Sequence, residues 1–230
     1  MARRNNAVVL LSGGLDSATV LYWAKDRGYE PHALLFDYGQ RHDRELRSAM
    51  ALCRRCRADY ELVRFNLPWQ GSSLLDPAMK VPQPRSAKAI GKQIPSTYVP
   101  ARNTIFLAFG LSYAEAIGAG AVMIGANALD YSGYPDCRPD YIRAMAKAFK
   151  LGTKTGREGR AIKIVAPLVK MSKSRIIKLG MKLGVPYELT WSCYRGGAKP
   201  CGRCDSCLLR AKGFAGAGLP DPALTGEQAR

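Results

Sequence analysis

Residues 7–17 read AVVLLSGGLDS, an apolar run followed by a turn that is rich in glycine and serine. The apolar part, residues 7–11, has the length and composition of a strand that is buried on both faces. Residues 18–25 then read as a helix. In a strand, turn and helix of this kind, free backbone N–H groups and the positive end of the helix surround the turn, so we expect it to bind an anion.

The residues of this turn suit a phosphate. Gly13 and Gly14 let the backbone approach a ligand without a Cβ atom in the way. Ser12 and Ser17 add hydroxyl donors, and Asp16 can cap the helix or hold a metal ion that bridges phosphates. The alternative is an ordinary turn between a strand and a helix, because such turns contain the same residue types.

The turn matches neither of the two commoner nucleotide signatures. The chain has no GxxxxGK[ST], no lysine follows Gly14 where it would reach the β- and γ-phosphates, and no GxGxxG opens the helix. The letters SGGLDS are instead similar to the SGGxDS loop of the PP-loop ATP pyrophosphatases. That resemblance implies an enzyme that cleaves ATP between the α- and β-phosphates and activates a substrate oxygen as its adenylate.

Apolar runs and helical patterns alternate along the chain and predict an α/β fold. Strands separated by helices at this spacing form a Rossmann-like, doubly wound parallel sheet, here of about five strands, and the resemblance implies its adenine nucleotide alpha hydrolase-like form. Ligands of such sheets bind at the carboxyl ends of the strands. The later predicted elements are strands at 32–36, 60–65, 121–125 and 162–166, and helices at 43–57, 105–117, 139–151 and 172–183.

Residues 67–98 interrupt this alternation with five prolines and no periodicity. A loop this long in a compact domain is a lid, a binding segment or disorder. We predict a mobile loop there, and the alternative is an inert surface insertion. We divide the chain into a PP-loop ATP-binding domain at 1–190, a zinc-binding segment at 191–215 and a tail at 216–230, whose Gly, Ala and Pro content is compatible with disorder.

Composition bounds the class of protein. The 230 residues are enough for one domain with a sizeable core, and no apolar run approaches the ~20 residues of a membrane span. The first strand begins too early for a signal peptide to precede it, so we predict a cytoplasmic protein without membrane contact. The net charge of +17 invites a nucleic-acid partner. The 35 Lys and Arg are scattered, however, so we do not expect direct nucleic-acid binding.

Four of the seven cysteines follow the spacing C-x7-C-x2-C-x2-C, at Cys193, Cys201, Cys204 and Cys207. Two-residue spacers let successive thiolates converge on one ion, and four thiolates without an open position predict a structural zinc site. An iron–sulfur cluster is the main alternative, ahead of unligated thiols. The second CxxC, at residues 53–56, lies in a predicted helix. We interpret it as a pair of buried or half-buried helix cysteines, and the alternatives are a redox pair or a second metal site.

Several further motifs agree with one family. They are SGGLDS, FDYGQRH at 36–42, VPARNTIFL at 99–107, DYSGYPDCRPDYI at 130–142 and the cysteine cluster with CDSC at 204–207. Over about residues 7–215 the chain resembles the 7-cyano-7-deazaguanine synthases of queuosine biosynthesis. The resemblance implies that ATP adenylates the carboxylate of 7-carboxy-7-deazaguanine and ammonia attacks to give the amide. A second ATP then activates the amide, and loss of AMP leaves the nitrile.

The resemblance assigns the first loop to ATP, with Mg²⁺ to neutralise the phosphates and Asp16 to orient that ion. The residues assigned to catalysis are Ser12, Asp16, Ser17 and Arg102. Those assigned to the nucleotide are Leu11, Ser12, Gly13, Gly14, Leu15, Asp16, Ser17, Ala18, Thr19, Val20, Leu21, Asp37 and Tyr38.

The substrate base is assigned to loops after later strands. A carboxylate such as Asp130 could accept the N–H donors of a deazaguanine edge, and Arg102 could clamp a phosphate or the substrate carboxylate. The alternatives are a turn with satisfied carboxylates, a surface arginine beside a helix cap, and a structural His42. The assigned residues are His42, Arg102, Asn103, Asp130, Tyr131, Tyr134 and Asp136.

Partners follow from the same resemblance, which implies a homodimer. We find no Cys-His pair or additional domain typical of a glutaminase, so ammonia is expected to come free or from elsewhere. Two other functions stay open. One is a PP-loop enzyme that modifies tRNA directly, by thiolation or by lysine attachment, and Cys137 is the plausible residue for thiolation. The other is a zinc-ribbon module that binds nucleic acid.

Overall fold

The computed structural model describes residues 5–69, 71–76, 78–80, 94–128 and 134–225. Five parallel strands form one sheet in the order β3-β2-β1-β4-β5. The prediction of a doubly wound parallel sheet of about five strands is therefore confirmed. The strands are β1 (Asn6–Leu10), β2 (Glu30–Asp37), β3 (Asp59–Arg64), β4 (Ala121–Met123) and β5 (Lys163–Val165).

Helices cover both faces of the sheet. In β1, Ala7 and Val9 face one core cluster and Val8 and Leu10 face the other, because successive side chains of a strand point to opposite faces. Helices α1, α2, α6 and α7 pack on the first face, and α3 and α4 on the second. The helices are α1 (Leu15–Asp26), α2 (Arg44–Cys56), α3 (Arg102–Ala116), α4 (Pro139–Gly152), α5 (Lys154–Arg157), α6 (Lys173–Lys182), α7 (Asp205–Ala217) and α8 (Pro222–Thr225).

The strand order fixes where a ligand can enter. From β1 the chain moves to β2 and β3 on one side, and then returns to β4 and β5 on the other side. The loops after β1 and β4 therefore leave the sheet in opposite directions and open a crevice at its carboxyl edge. Short 3-10 helices at Pro135–Cys137 and Tyr187–Leu189 lie in the connections that follow.

Helix boundaries differ from the sequence prediction in two places. Helix α1 begins at Leu15 rather than Ala18, so part of the glycine turn belongs to the first turn of the helix. Helix α3 begins at Arg102, directly after Ala101, whose φ of 53° lies in the left-handed region. Both helices therefore present their first turns to the crevice.

The C-terminal part of the chain is more extensively packed than its composition predicts. Helix α7 continues to Ala217, because Gly213 and Gly216 let it approach Lys173 and Ser174 of α6 closely. Beyond it, Asp221 is buried against Arg210. Residues 216–217 thus belong to α7 and residues 222–225 to α8, whereas residues 226–230 lie outside the described part, and disorder of the tail stays a prediction.

The predicted mobile loop at 67–98 is described only in part. Ser72 and Ser73 are fully buried, and the Ser73 N–H donates to the Ser96 carbonyl at 2.7 Å. Arg41 donates to the carbonyl oxygens of Asp76 and Met79. The described parts are thus tied to the domain, and mobility of the loop stays a prediction. No helix in the described ranges is long and apolar enough to cross a membrane.

Candidate functional site

A cleft of about 240 Å³ opens at the carboxyl ends of β1, β2 and β4. Its floor is the glycine turn, and its walls come from the loop after β2, the start of α3, the loop after β4 and the segment before α7. The polar and charged side chains that line it are Ser12, Asp16, Ser17, Tyr38, Gln40, Arg41, His42, Glu45, Arg102, Asn103, Asn127, Tyr134, Lys173, Ser192, Tyr194, Ser206 and Arg210.

Hydrogen bonds of its two serines stabilise the glycine turn. The Ser12 and Ser17 hydroxyl oxygens lie 3.1 Å apart, and the Ser17 hydroxyl donates to the Gly14 carbonyl at 3.1 Å. No side chain of the described residues caps α1 at Gly14. The first N–H groups of the helix are therefore available to an anion, as the sequence predicts for a phosphate.

Gly13 is required by packing as well as by conformation. Its φ is +85°, and a Cβ at this position would overlap the carbonyl oxygen of Glu45 and lie 2.8 Å from the Ala49 nitrogen of α2. A Cβ at Gly125, after β4, would lie 2.9 Å from the Ser17 nitrogen. The turn is thus enclosed on two sides by backbone, which keeps its N–H groups aimed at the cleft.

Lys173 is the main cleft residue that sequence reasoning missed. Its Nζ lies 2.8 and 2.7 Å from the two carboxylate oxygens of Asp16, and its side chain is 9% exposed. The turn itself contains no lysine, and α6 supplies one across space. One sequence signal could have indicated it: a lysine directly after the helix-capping Ser172, in the connection that follows the last strand.

Arg102 stands on the first turn of α3 and donates to the Tyr38 hydroxyl at 3.1 Å. Helix α3 is capped from another segment, because the Asp136 carboxylate accepts from the Asn103 N–H at 3.1 Å. Asn103 in turn donates to the Asp136 carbonyl at 3.3 Å. Asp136 therefore fixes the start of α3 and does not line the cleft, unlike its predicted role in the substrate pocket.

Two further predicted residues occupy the same wall. The Tyr134 and Thr97 hydroxyls lie 2.8 Å apart. Beside them, Asn103 donates to the Cys137 sulfur at 3.3 Å, and burial raises the pKa of that thiol to about 12. Cys137 is therefore a neutral thiol at physiological pH.

His42 lies at the opposite side of the cleft, against the cysteine-rich segment. Burial lowers its pKa, and the backbone of Cys193 and Tyr194 partly opposes that shift. Gly196 packs directly against the imidazole ring. The ring is thus held neutral and in a fixed position.

The cleft brings together most of the residues that the sequence assigns to ATP and substrate. Eleven of them line it: Leu11, Ser12, Gly14, Leu15, Asp16, Ser17, Tyr38, His42, Arg102, Asn103 and Tyr134. Gly13 contributes backbone just beneath it. Asp130 and Tyr131 lie outside the described residues.

Five assigned nucleotide residues point elsewhere. Ala18, Thr19, Val20 and Leu21 are fully buried in the core, because α1 turns their side chains away from its first turn. Thr19 is hydrogen bonded to the Tyr187 hydroxyl at 2.9 Å. Asp37 forms an ion pair with Arg64 at 3.8 Å and does not line the cleft.

The four cysteines of the C-terminal cluster converge as their spacing predicts. Their sulfur atoms all lie within 4.8 Å of one another, and the Cys201 and Cys207 sulfurs are 4.0 Å apart. Tetrahedral zinc with Zn–S bonds of about 2.3 Å needs sulfurs about 3.8 Å apart, so the arrangement fits such an ion. The N–H groups of Arg195 and Cys201 point to the Cys193 sulfur at 3.4 and 3.3 Å, as they would to a thiolate.

The cysteine cluster is joined to the glycine turn through Trp191. The Trp191 N–H donates to the Gly13 carbonyl at 3.0 Å, and its indole N–H donates to the Cys193 carbonyl at 2.9 Å. Arg44 of α2 stacks over the indole ring at 5.0 Å. The cluster therefore supports one wall of the cleft, although none of its four sulfurs belongs to the lining.

Comparison with known proteins finds a matching family and similar proteins over nearly the full chain. A family model described as "Queuosine biosynthesis protein QueC" matches residues 6–218. A 7-cyano-7-deazaguanine synthase of Nostoc punctiforme is 61% identical over 220 residues, which are 95% of this chain and 98% of that protein. A protein of the same name from Thermoplasma acidophilum is 56% identical over 220 residues, 95% and 91% of the two chains.

Proposed function

The chain belongs to the QueC family of queuosine biosynthesis proteins, and on that premise we propose that its cleft performs the ATP-dependent synthesis of 7-cyano-7-deazaguanine. The substrates are 7-carboxy-7-deazaguanine, ammonia and ATP. Adenylation turns an unreactive carboxylate oxygen into a leaving group, after which ammonia can form the amide. The same activation of the amide oxygen leads to the nitrile.

The observation that carries this proposal is the meeting of the glycine turn, Lys173 and Arg102 in one cleft. The free N–H groups at the start of α1 bind the pyrophosphate of ATP, with the hydroxyls of Ser12 and Ser17 beside them. Lys173 adds the positive charge that the turn lacks, and Asp16 holds its ammonium group over the turn. These residues stabilise charge on the pyrophosphate as it leaves.

Arg102 and its neighbours bind the substrate that ATP activates. The guanidinium lies in the same cleft as Lys173, beside the Tyr38 hydroxyl, where it binds the substrate carboxylate or the α-phosphate. Tyr134 and Asn103 line the space beside it, and we retain Asp130 and Tyr131 as contacts of the deazaguanine base. Asp136 acts through Asn103, by fixing the first turn of α3 on which Arg102 stands.

Two metal ions complete the proposal. The cysteine cluster holds a structural zinc ion, which ties the cysteine-rich segment to the glycine turn through Trp191. Mg²⁺ neutralises the phosphates of ATP when both are bound, and Asp16 is the carboxylate at the turn that can reach it, directly or through water. Asp16 would then serve both such an ion and Lys173.

We further propose a cytoplasmic homodimer that uses free ammonia. Tyr60 on the edge strand β3 and Phe109 on α3 are 41% and 38% exposed, and apolar exposure of this kind suits a second copy of the chain. Light scattering of the purified protein measures its mass. A mass of one chain across the micromolar range would contradict the dimer.

A PP-loop enzyme that thiolates tRNA is the second candidate function, because Cys137 lies in the cleft. Burial raises the pKa of this thiol to about 12, so it lacks the thiolate that sulfur transfer requires. We therefore favour the nitrile-forming synthase over an enzyme that thiolates tRNA.

One product assay separates the candidates. The protein is incubated with ATP, ammonium and 7-carboxy-7-deazaguanine, and the nitrile and AMP are measured by mass spectrometry. We expect both products without any RNA. Activity that appears only with tRNA would support the second candidate. Absence of ATP turnover under either condition would instead support a zinc-ribbon module that binds nucleic acid.

A further inference from the structure

The proposed reaction requires a base at the substrate nitrogen. Ammonia that attacks the acyl adenylate becomes a positively charged nitrogen, and it must lose a proton before AMP can leave. The activated amide must then lose both remaining N–H protons to become a nitrile. A positioned side chain near neutral pKa accelerates such transfers by about 10²–10⁴-fold.

Glu45 has a carboxylate in the cleft, and this carboxylate has no role in the proposed binding of ATP. It stands in the first turn of α2 and lines the cleft. Its carboxylate makes no hydrogen bond or ion pair with any residue in the described ranges. A partly buried carboxylate is normally paired, so an unpaired one that faces a cleft indicates a role toward a ligand.

The two nearby carboxylates are already engaged, and His42 faces away from Arg102. Asp16 is held by Lys173 at 2.7 and 2.8 Å, and Asp136 accepts from the Asn103 N–H outside the cleft. His42 is packed beneath Gly196 and faces the cysteine cluster. Among the described residues, Glu45 is thus the cleft carboxylate that can take up a proton without breaking an existing contact.

The surroundings of Glu45 shift the pKa of its carboxyl group toward neutral pH. Burial raises its pKa from 4.5 to about 7, while Arg102 on α3 lowers it and Cys193 raises it. A carboxylate with this pKa is partly ionised near neutral pH and can both accept a proton and release it. Arg102 is also the residue we assign to the substrate carboxylate, so Glu45 lies on the side of the cleft where the reacting carbon would be.

We propose that Glu45 is the general base that removes protons from the substrate nitrogen in both halves of the reaction. This inference rests on the proposed synthase function. In the first half, ammonia forms a C–N bond to the acyl adenylate, Glu45 takes one proton from that nitrogen, and the C–O bond to AMP breaks to leave the amide.

In the second half, the amide oxygen attacks the α-phosphorus of a second ATP and pyrophosphate leaves. Glu45 takes a proton from the resulting cationic nitrogen. Glu45 releases that proton to solvent and then accepts the last N–H proton as the C–O bond to AMP breaks, and the nitrogen electron pair forms the C≡N bond. Between the steps Glu45 returns its proton to solvent.

The test separates adenylation from nitrogen chemistry. Pyrophosphate–ATP exchange with 7-carboxy-7-deazaguanine, without ammonia, needs no nitrogen base. The Glu45→Gln variant should keep this exchange within about threefold of the wild type and lose about 100-fold in amide formation when ammonia is added. Glu61→Gln, at an exposed carboxylate on β3, is the matched control and should keep both activities.

Three outcomes would overturn the inference. Amide formation in Glu45→Gln that equals the Glu61→Gln control removes the need for this base. An equal loss of exchange and amide formation assigns Glu45 to ATP binding instead. If Glu45→Gln does not fold, the wild type is measured alone from pH 6 to 8 at constant free ammonia, where a flat rate of amide formation contradicts a base with a pKa near 7. Absence of exchange in the wild type would instead contradict the synthase proposal itself.

Discussion

Lys173 Nζ lies 2.7 and 2.8 Å from the carboxylate oxygens of Asp16, although 157 residues separate the two in the chain. The pair joins the glycine turn after β1 to the first residue of α6. It brings a cation to the proposed phosphate loop, which contains none of its own. The proposed ATP site is therefore completed by the packing of α6 against α1.

We expect Lys173→Met to lose ATP-dependent activity. Its removal takes away the phosphate cation and leaves Asp16 largely buried without its partner, which costs about 3 kcal/mol of the free energy of unfolding. Pyrophosphate–ATP exchange should fall at least about 100-fold. The matched control is Lys178→Met on the exposed face of α6. The double variant Asp16→Asn, Lys173→Met should regain stability but not exchange, and recovered exchange would contradict the assigned role.

Gly13→Ala should be far more damaging than its left-handed conformation alone predicts. A Cβ there overlaps the Glu45 carbonyl, whereas a Cβ at Gly28, with φ of +76°, meets nothing within 4 Å. We expect Gly28→Ala to cost about 1 kcal/mol in chemical denaturation, and Gly13→Ala to cost several kcal/mol more and weaken ATP binding. Equal costs would show that α2 can yield at this contact.

Loss of zinc from the cysteine cluster should weaken ATP binding. Cys201→Ser removes one ligand of the cluster, so we expect loss of bound zinc by elemental analysis and a lower melting temperature. ATP affinity should fall about tenfold, because Trp191 anchors the glycine turn to the cluster. Cys56→Ala, at a buried cysteine outside the cluster, should retain one zinc per chain. Unchanged ATP affinity in zinc-free protein would show that the cysteine cluster does not influence the glycine turn.

The buried pair of Arg210 and Asp221 should hold the end of the chain in place. Their side chains are each 6% exposed, and two hydrogen bonds of 2.8 and 2.9 Å join them. Asp221→Asn should lower the free energy of unfolding by about 3–5 kcal/mol. The exposed pair Asp43–Arg47 is the comparison, and Asp43→Asn should cost about 0.5 kcal/mol or less.

Stability should depend on pH through Glu45. Its pKa is raised from 4.5 to about 7 in the folded protein, so the folded state binds more protons than the unfolded state between these values. Stability from this group is therefore present below pH 4.5 and lost as the pH rises to 7, by up to about 3 kcal/mol. Glu45→Gln should remove this dependence in urea denaturation, and an identical slope in both proteins would contradict it.

Local patterns were enough for the five strands, for helices α1, α2, α3, α4 and α6, and for two of the motifs. Residues 7–17 predicted β1, the turn and α1, because a buried strand and a glycine turn are encoded by neighbouring residues. The cysteine spacing predicted the metal cluster for the same reason, since two-residue spacers bring thiolates together. The sheet of about five strands followed from repetition of such local patterns.

The sequence by itself therefore determined the strands, most of the helices, the turn and the cysteine cluster, and tertiary structure decided which side chains complete the cleft. Lys173 and Glu45 reach it because α6 and α2 pack beside the turn, and no local pattern records that contact. Helix geometry likewise sends Val20 and Leu21 into the core, although they adjoin the phosphate loop in sequence. A helix turns its residues through 100° each, so nearness along the chain is not nearness to the ligand.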